Sequence, residues 1–323
     1  MQLLLMVMIS LLSCKDNKPS ENKSTSEIGM GHPAEKEVSL IILGTVQDAG
    51  SPHIACSKSC CANLFFQPNQ DRKVVSLGIM DTKNNKNYII EATPDFPEQA
   101  KALKNLNLSL TGEIPDGIFL THAHIGHYTG LIYLGKEALN SSNVPVFAMP
   151  KMKSFLEHNG PWSQLVANGN IMLQEMNPME EVVLTPNLSL IPFTVPHRDE
   201  YSETVGFTII GPNKKVLFIP DIDKWHLWET NIIDAISAVD MAFIDATFYD
   251  GEEIYNRDIT EIPHPFVIES MAVFKHLPES EKAKIHFIHL NHTNPLLDMG
   301  SEAYGTVLEN GFKVANIKDA FSL

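Results

Sequence analysis

The sequence predicts a layered α/β domain. Three observations carry that expectation: short apolar runs rich in β-branched residues recur along the chain, helical patterns fall between them, and no segment repeats another. The runs form two groups, which suits two packed layers of strands. A length of 323 residues, 44% of them hydrophobic, supports a sizeable core in one large domain or two small ones.

The elements follow in order. Val38–Thr45 is the first strand, an apolar run bounded by polar chain, and a Gly- and Cys-bearing loop comes after it. Val74–Asp81 and Tyr88–Ala92 repeat the strand pattern. Pro94–Asn105 opens with Pro and Asp, as helices do. Gly117–Thr121 is a short strand that ends in histidines, and Gly130–Leu139 is expected to be helical. Val144–Met149 and Leu188–Val195 read as strands, with a helix at Lys151–His158. Thr204–Ile210 and Lys215–Ile219 form a hairpin around Gly211-Pro212-Asn213. Val239–Asp245 and Lys284–His289 are further strand-like runs, separated by a helix over Pro265–His276.

Composition excludes several functions. No apolar run reaches the roughly 20 residues of a spanning helix, so a channel or transporter is ruled out. With 24 basic and 39 acidic residues the net charge is −15, which argues against nucleic acid as a partner and suits cations. Neither a Gly-rich phosphate loop nor a Ser nucleophile elbow is present.

Residues 2–13 form an apolar run directly followed by Cys14, and Leu11-Leu12-Ser13-Cys14 resembles the lipobox of bacterial lipoproteins. The resemblance implies a signal peptide over 1–13, a lipid on Cys14 and a flexible tether over 14–37. That tether is polar and aperiodic. A single domain is then expected over 38–323. The expected location is the bacterial cell envelope, lipid-anchored and periplasmic or surface-exposed, with the membrane as a partner. The other reading of this segment is a soluble protein with an apolar N-terminus.

His122, His124 and His127 fall within Thr121-His-Ala-His-Ile-Gly-His127, an HxHxxH cluster directly after a strand. Three imidazoles so placed suit zinc or iron, because core rings would each need two satisfied nitrogens. With its strand context, the cluster resembles the HxHxDH motif of the metallo-β-lactamase fold family, and the resemblance spans Val38 to the C-terminus. It implies an αββα sandwich of two facing mixed sheets flanked by helices. His197, Asp221 and His289 each follow a strand and match the family's later ligands. The resemblance implies one metal on His122, His124 and His197, a second helped by His127 and His289, and Asp221 between them. Asp221 and His289 are the residues expected at the reaction itself. Gly126 departs from the pattern, standing where the family has a carboxylate. One firmly held metal is therefore expected, with Asp221, Asp223 or Tyr128 as candidate substitutes, and Gly126→Asp is expected to raise occupancy of the second position.

Cys56, Cys60 and Cys61 make a second cluster. It resembles the Cys-rich loop of two branches of the superfamily, the cyclic phosphodiesterases of phosphonate utilisation and the pyrroloquinoline quinone biosynthesis B proteins. His292, three residues beyond His289, is implied as its fourth ligand, giving a structural zinc. A disulfide between Cys56 and Cys60 or Cys61 is the alternative. The segment His289-Leu-Asn-His-Thr-Asn-Pro295 favours the quinone-biosynthesis branch. Asp95 and Asp245 read as partners that orient metal-bound imidazoles, Asp95 equally as a helix cap. His53, His158, His226, His264, His276 and His286 belong to no motif and read as ordinary residues.

A metal in such a cradle lowers the pKa of bound water to near 7. The expected activity is hydrolysis of a phosphodiester or related ester of a small-molecule substrate, using zinc, manganese or iron at one or two positions. The alternatives are an iron-dependent hydroxylase like the quinone-biosynthesis protein, and a metal-dependent binding protein without turnover.

Overall fold

Along Val38–Gly44 (β1) the side chains alternate between two cores, Leu40 and Ile42 facing one, Ile41 and Leu43 the other. A strand covered on both faces has no polar side, which is why this run is apolar at nearly every position. The computed structural model describes residues 37–107, 112–254 and 261–323. The leader, Cys14 and nearly all of the tether lie outside the described residues.

Thirteen further strands follow among the described residues: β2 (Ser76–Asp81), β3 (Lys86–Ile90), β4 (Gly117–Phe119), β5 (Val144–Ala148), β6 (Ile171–Glu175), β7 (Val182–Thr185) and β8 (Leu188–Thr194), then β9 (Val205–Ile210), β10 (Lys215–Ile219), β11 (Met241–Asp245), β12 (Ile285–Ile288), β13 (Lys313–Val314) and β14 (Ala320–Ser322). They form two seven-stranded sheets, β14-β1-β2-β3-β4-β5-β6 and β13-β12-β11-β10-β9-β8-β7. Both sheets are mixed. Between them Phe119, Phe207, Phe218 and Phe243 fill one core. Helices Phe96–Leu106, Pro150–His158 and Trp162–Ala167 cover the first sheet, and Ile232–Ser237, Val267–Phe274 and Glu302–Glu309 the second. This is the αββα sandwich expected from the sequence.

The expected helix over Gly130–Leu139 is instead a 3₁₀ segment, Thr129–Leu134. Gly130 presses against neighbouring backbone there: a Cβ would stand 2.1 Å from the carbonyl oxygen of Thr93, and Gly130 N–H donates to Ala92 O. A regular helix does not fit so close to the end of β3.

β1, β3 and β4 run in one direction, and so do β8, β10, β11 and β12. A parallel bridge between Val46 and Leu290 aligns the two sets across the sheets. The loops leaving the C-terminal ends of these strands therefore gather at one edge of the sandwich. Nearly every expected ligand sits in one of those loops.

Candidate metal centre

The chain leaves β4 through Leu120 and Thr121, so His122 comes directly after the buried strand and His124 follows on an extended backbone. The short turn Ile125–Tyr128 then brings His127 back against the same point. His197 arrives from the loop after β8, Asp221 from the end of β10 and His289 from the end of β12. His289 has φ +67° and Glu91, after β3, has φ +77°. Non-glycine residues in this region cost about 1–3 kcal/mol each and persist where the surroundings enforce them.

His122 Nε2 lies 2.8 Å from His124 Nδ1 and 3.4 Å from Asp221 Oδ2, and His197 Nε2 lies 3.3 Å from Asp221 Oδ1. His122, His124, His197 and Asp221 each offer one donor atom within 4.8 Å of the others. On the other side of the carboxylate, His127 Nε2 and His289 Nε2 each stand 3.9 Å from Asp221 Oδ2. A tetrahedral centre with bonds of about 2.0–2.2 Å has ligand–ligand edges of about 3.3–3.6 Å. The observed spacings bracket that length. His197 Nε2 and Asp221 Oδ1 are also buried without a hydrogen bond. Buried polar atoms left in that state are costly unless something else coordinates them, and a divalent cation fits both.

The outward nitrogens of His122, His127, His197 and His289 each face a partner, whereas His124 Nε2 is buried without a hydrogen bond. His197 Nδ1–H donates to Asp223 Oδ1 at 2.9 Å, His122 Nδ1 meets Thr121 Oγ1 at 2.8 Å and His289 Nδ1 meets Thr247 Oγ1 at 2.8 Å. His127 Nδ1 faces Glu91 Oε1 at 3.2 Å, both fully buried. Holding the outer nitrogen fixes the tautomer and aims the inner lone pair at the centre. Asp223 is thus a brace for His197, and Tyr128 packs on Phe155 and Trp162 away from the site, so neither replaces the family carboxylate.

Without a cation the centre balances itself with protons. Burial opposes ionisation of Asp221, yet the surrounding imidazoles His197, His264 and His289 hold its carboxyl well below the usual range. Burial likewise opposes charge on His197, but Asp221 and Asp223 outweigh it and lift the group to about 9. His289 rises to about 8 against its burial, through Asp221, Asp245 and Asp48. His122 goes the other way, lowered by burial and by the neighbouring His127. Ligands must be deprotonated to bind, so cation uptake releases these protons.

Three residues that pattern reading passed over belong to the site. His264 Nδ1 lies 3.1 Å from Asp221 Oδ1 and 2.8 Å from Asp245 Oδ2, so it is not an ordinary surface or core residue. Asp245 in turn accepts from the backbone of Ile222 and Thr247, which holds its carboxylate beside His264. Glu91 is the second, fixing the His127 ring. Asp48, from the loop after β1, places Oδ1 2.7 Å from His127 Nε2 and 3.2 Å from His289 Nε2. Asp95 takes neither role expected of it. It stands at the N-cap position of Phe96–Leu106 without capping it, and accepts from Val74 N instead.

In the cysteine cluster, Cys56 Sγ and Cys61 Sγ each lie 3.9 Å from Cys60 Sγ, with His292 completing a set of four within 4.8 Å. Zn–S bonds of about 2.3 Å give tetrahedral S–S edges of about 3.8 Å. The three cysteines are free thiols here. His53 stacks on His292 with ring centroids 4.3 Å apart. His286 lies remote from both clusters, stacked on Phe243, where burial pushes it down to about 4.

Comparison with known proteins agrees with this fold. Residues 86–287 match the β-lactamase superfamily domain. The coenzyme PQQ synthesis protein B of Xanthomonas euvesicatoria is 22% identical over 302 residues, covering 86% of this chain and 97% of that protein. The Zn(2+)-bound PqqB of Methylobacterium extorquens superposes with a TM-score of 0.72 at 21% identity, covering 88% of this chain and 100% of that one. A diphosphatase of the PhnP family superposes with a TM-score of 0.60 at 20% identity, over 88% and 96%. The matched span is more than half of the chain, and this protein belongs to the β-lactamase superfamily.

Proposed function

We propose that the protein is a metal-dependent hydrolase of a phosphodiester or related ester. The observation that carries the reading is the pair of half-sites sharing one buried carboxylate: His122, His124 and His197 on one side of Asp221, His127 and His289 on the other. When bound, a metal there supplies Lewis acidity and an activated water at neutral pH. The chain's own groups do the rest. Asp221 holds the two halves at a common spacing, and Asp223, Thr121, Glu91 and Thr247 keep the rings aimed. His264 stands 3.1 Å from Asp221 and 2.8 Å from Asp245, and against its burial these two carboxylates raise it well above its ordinary value, which favours positive charge there. The diphosphatase relative, whose bond is a phosphoanhydride, supports hydrolysis at phosphorus more generally. The test is turnover of a panel of aryl phosphodiesters, diphosphates and esters by protein loaded with zinc, manganese or iron. Activity on at least one of them, lost on chelation, is expected.

Full-length coverage of the coenzyme PQQ synthesis proteins favours a second reading, an iron-dependent hydroxylase in the same cradle. It requires oxygen and a reductant, whereas hydrolysis requires neither. We also propose attachment to the cell envelope through a lipid on Cys14, on the strength of the apolar leader before it. In membrane fractionation Cys14→Ser is expected to move the protein to the soluble fraction or block its maturation. A distribution unchanged from the native chain removes that part of the account.

A further inference from the structure

Position 126 breaks the HxHxDH pattern, and Asp48 packs directly against it. A Cβ on Gly126 would lie 2.4 Å from the Cα of Asp48 and 2.8 Å from its Cβ and Cγ. The first of these contacts is backbone, so no rotamer change relieves it. Gly126 is therefore the residue that lets the loop after β1 come in, and what the loop brings is a carboxylate.

That carboxylate is nearly buried, its side chain 11% exposed. Its Oδ1 sits between the metal-facing nitrogens of His127 and His289, and Asp48, His127, Asp221 and His289 offer four donor atoms within 4.8 Å of one another. The loop has two anchors beside the site. Gln47 N–H donates to Leu290 O, next to His289, and Val46 bridges both Val74 and Leu290.

We propose that Asp48 supplies the carboxylate of a second metal position, in place of the one the motif lacks. The second half-site is then complete: His127, His289, Asp48 and the shared Asp221. Gly126 is its steric condition. On this proposal glycine does not leave the position weak, and Gly126→Asp is expected to weaken rather than strengthen it. A side chain at 126 displaces the loop that already carries the ligand.

The proposal rests on the metallohydrolase reading, and its test separates the two. Native protein, Asp48→Asn and Gly126→Ala are each saturated with manganese, desalted, and measured for metal per chain and for the paramagnetic resonance spectrum. Asparagine keeps the size of Asp48 and removes its charge. Alanine leaves Asp48 intact and pushes it away. The native protein is expected to show the spectrum of a spin-coupled pair. Both variants are expected to lose about one equivalent and show isolated ions only, with second-metal affinity reduced at least about 10-fold. Retention of the coupled pair in Asp48→Asn overturns the proposal while leaving the metallohydrolase reading intact, and so does a single active-centre ion in the native protein. No active-centre metal in any of the three overturns both.

Discussion

Replacing Asp221 with asparagine is expected to abolish metal-dependent turnover, a loss beyond the roughly 10–100-fold typical of residues that merely orient a ligand. Asp221 is the one group common to both half-sites, 3.3 to 3.9 Å from His122, His124, His127, His197 and His289. Its loss also strips buried imidazoles of their counter-charge, which costs about 3–5 kcal/mol in the metal-free protein. The pH dependence has a definite sign. Asp221 has a depressed pKa, so its contribution is present above the ordinary carboxyl range and lost only as pH falls below it. His197 is raised to about 9, so its contribution is full below about 6.5 and disappears as pH rises through 9. The gap in melting temperature between metal-free native protein and Asp221→Asn should be widest from about pH 4 to 6.5 and narrow toward 9. Asp223→Asn is the control. It should weaken metal binding by about 10–100-fold and leave both positions fillable. A gap that does not depend on pH contradicts this electrostatic account of the centre.

The second large effect is expected at the cysteine cluster. Cys61→Ala should remove about one zinc per chain and lower the melting temperature by roughly 10 °C, because binding free energy at a closed zinc site is folding free energy. Cys61 is fully buried, and His53 N–H donates to its sulfur. Elemental analysis and calorimetry check both values. A disulfide between two of these cysteines in the native protein, found by mass spectrometry, excludes the zinc.

Much of this site is legible in the sequence because its ligands sit at the ends of apolar strands, and strand runs are what periodicity detects. His122, His124, His127, His197, Asp221 and His289 all meet as the family resemblance implies. The cysteine cluster meets too, despite its irregular spacing. The edge strands β6, β7, β13 and β14 are harder to read, since short segments with mixed burial lack a continuous apolar signal. His264 and Asp48 are invisible for another reason. Each lies in a loop whose approach to the centre is set by distant contacts, and local sequence says nothing of which loop closes over which. Gly126 shows the limit most plainly. In sequence it reads as a missing carboxylate, whereas in three dimensions it is the space another carboxylate requires. Only the close approach of Asp48 distinguishes the two.

The central claim is that the half-sites around Asp221 add water across an ester bond. It is tested most directly by turnover in ¹⁸O-labelled water under strict anaerobiosis, using metal-loaded protein and the substrate that the panel identifies. The rate is expected to be undiminished without oxygen, with one solvent oxygen in the hydrolysed product. Turnover that stops when oxygen is removed, or product oxygen drawn from labelled dioxygen rather than water, contradicts it.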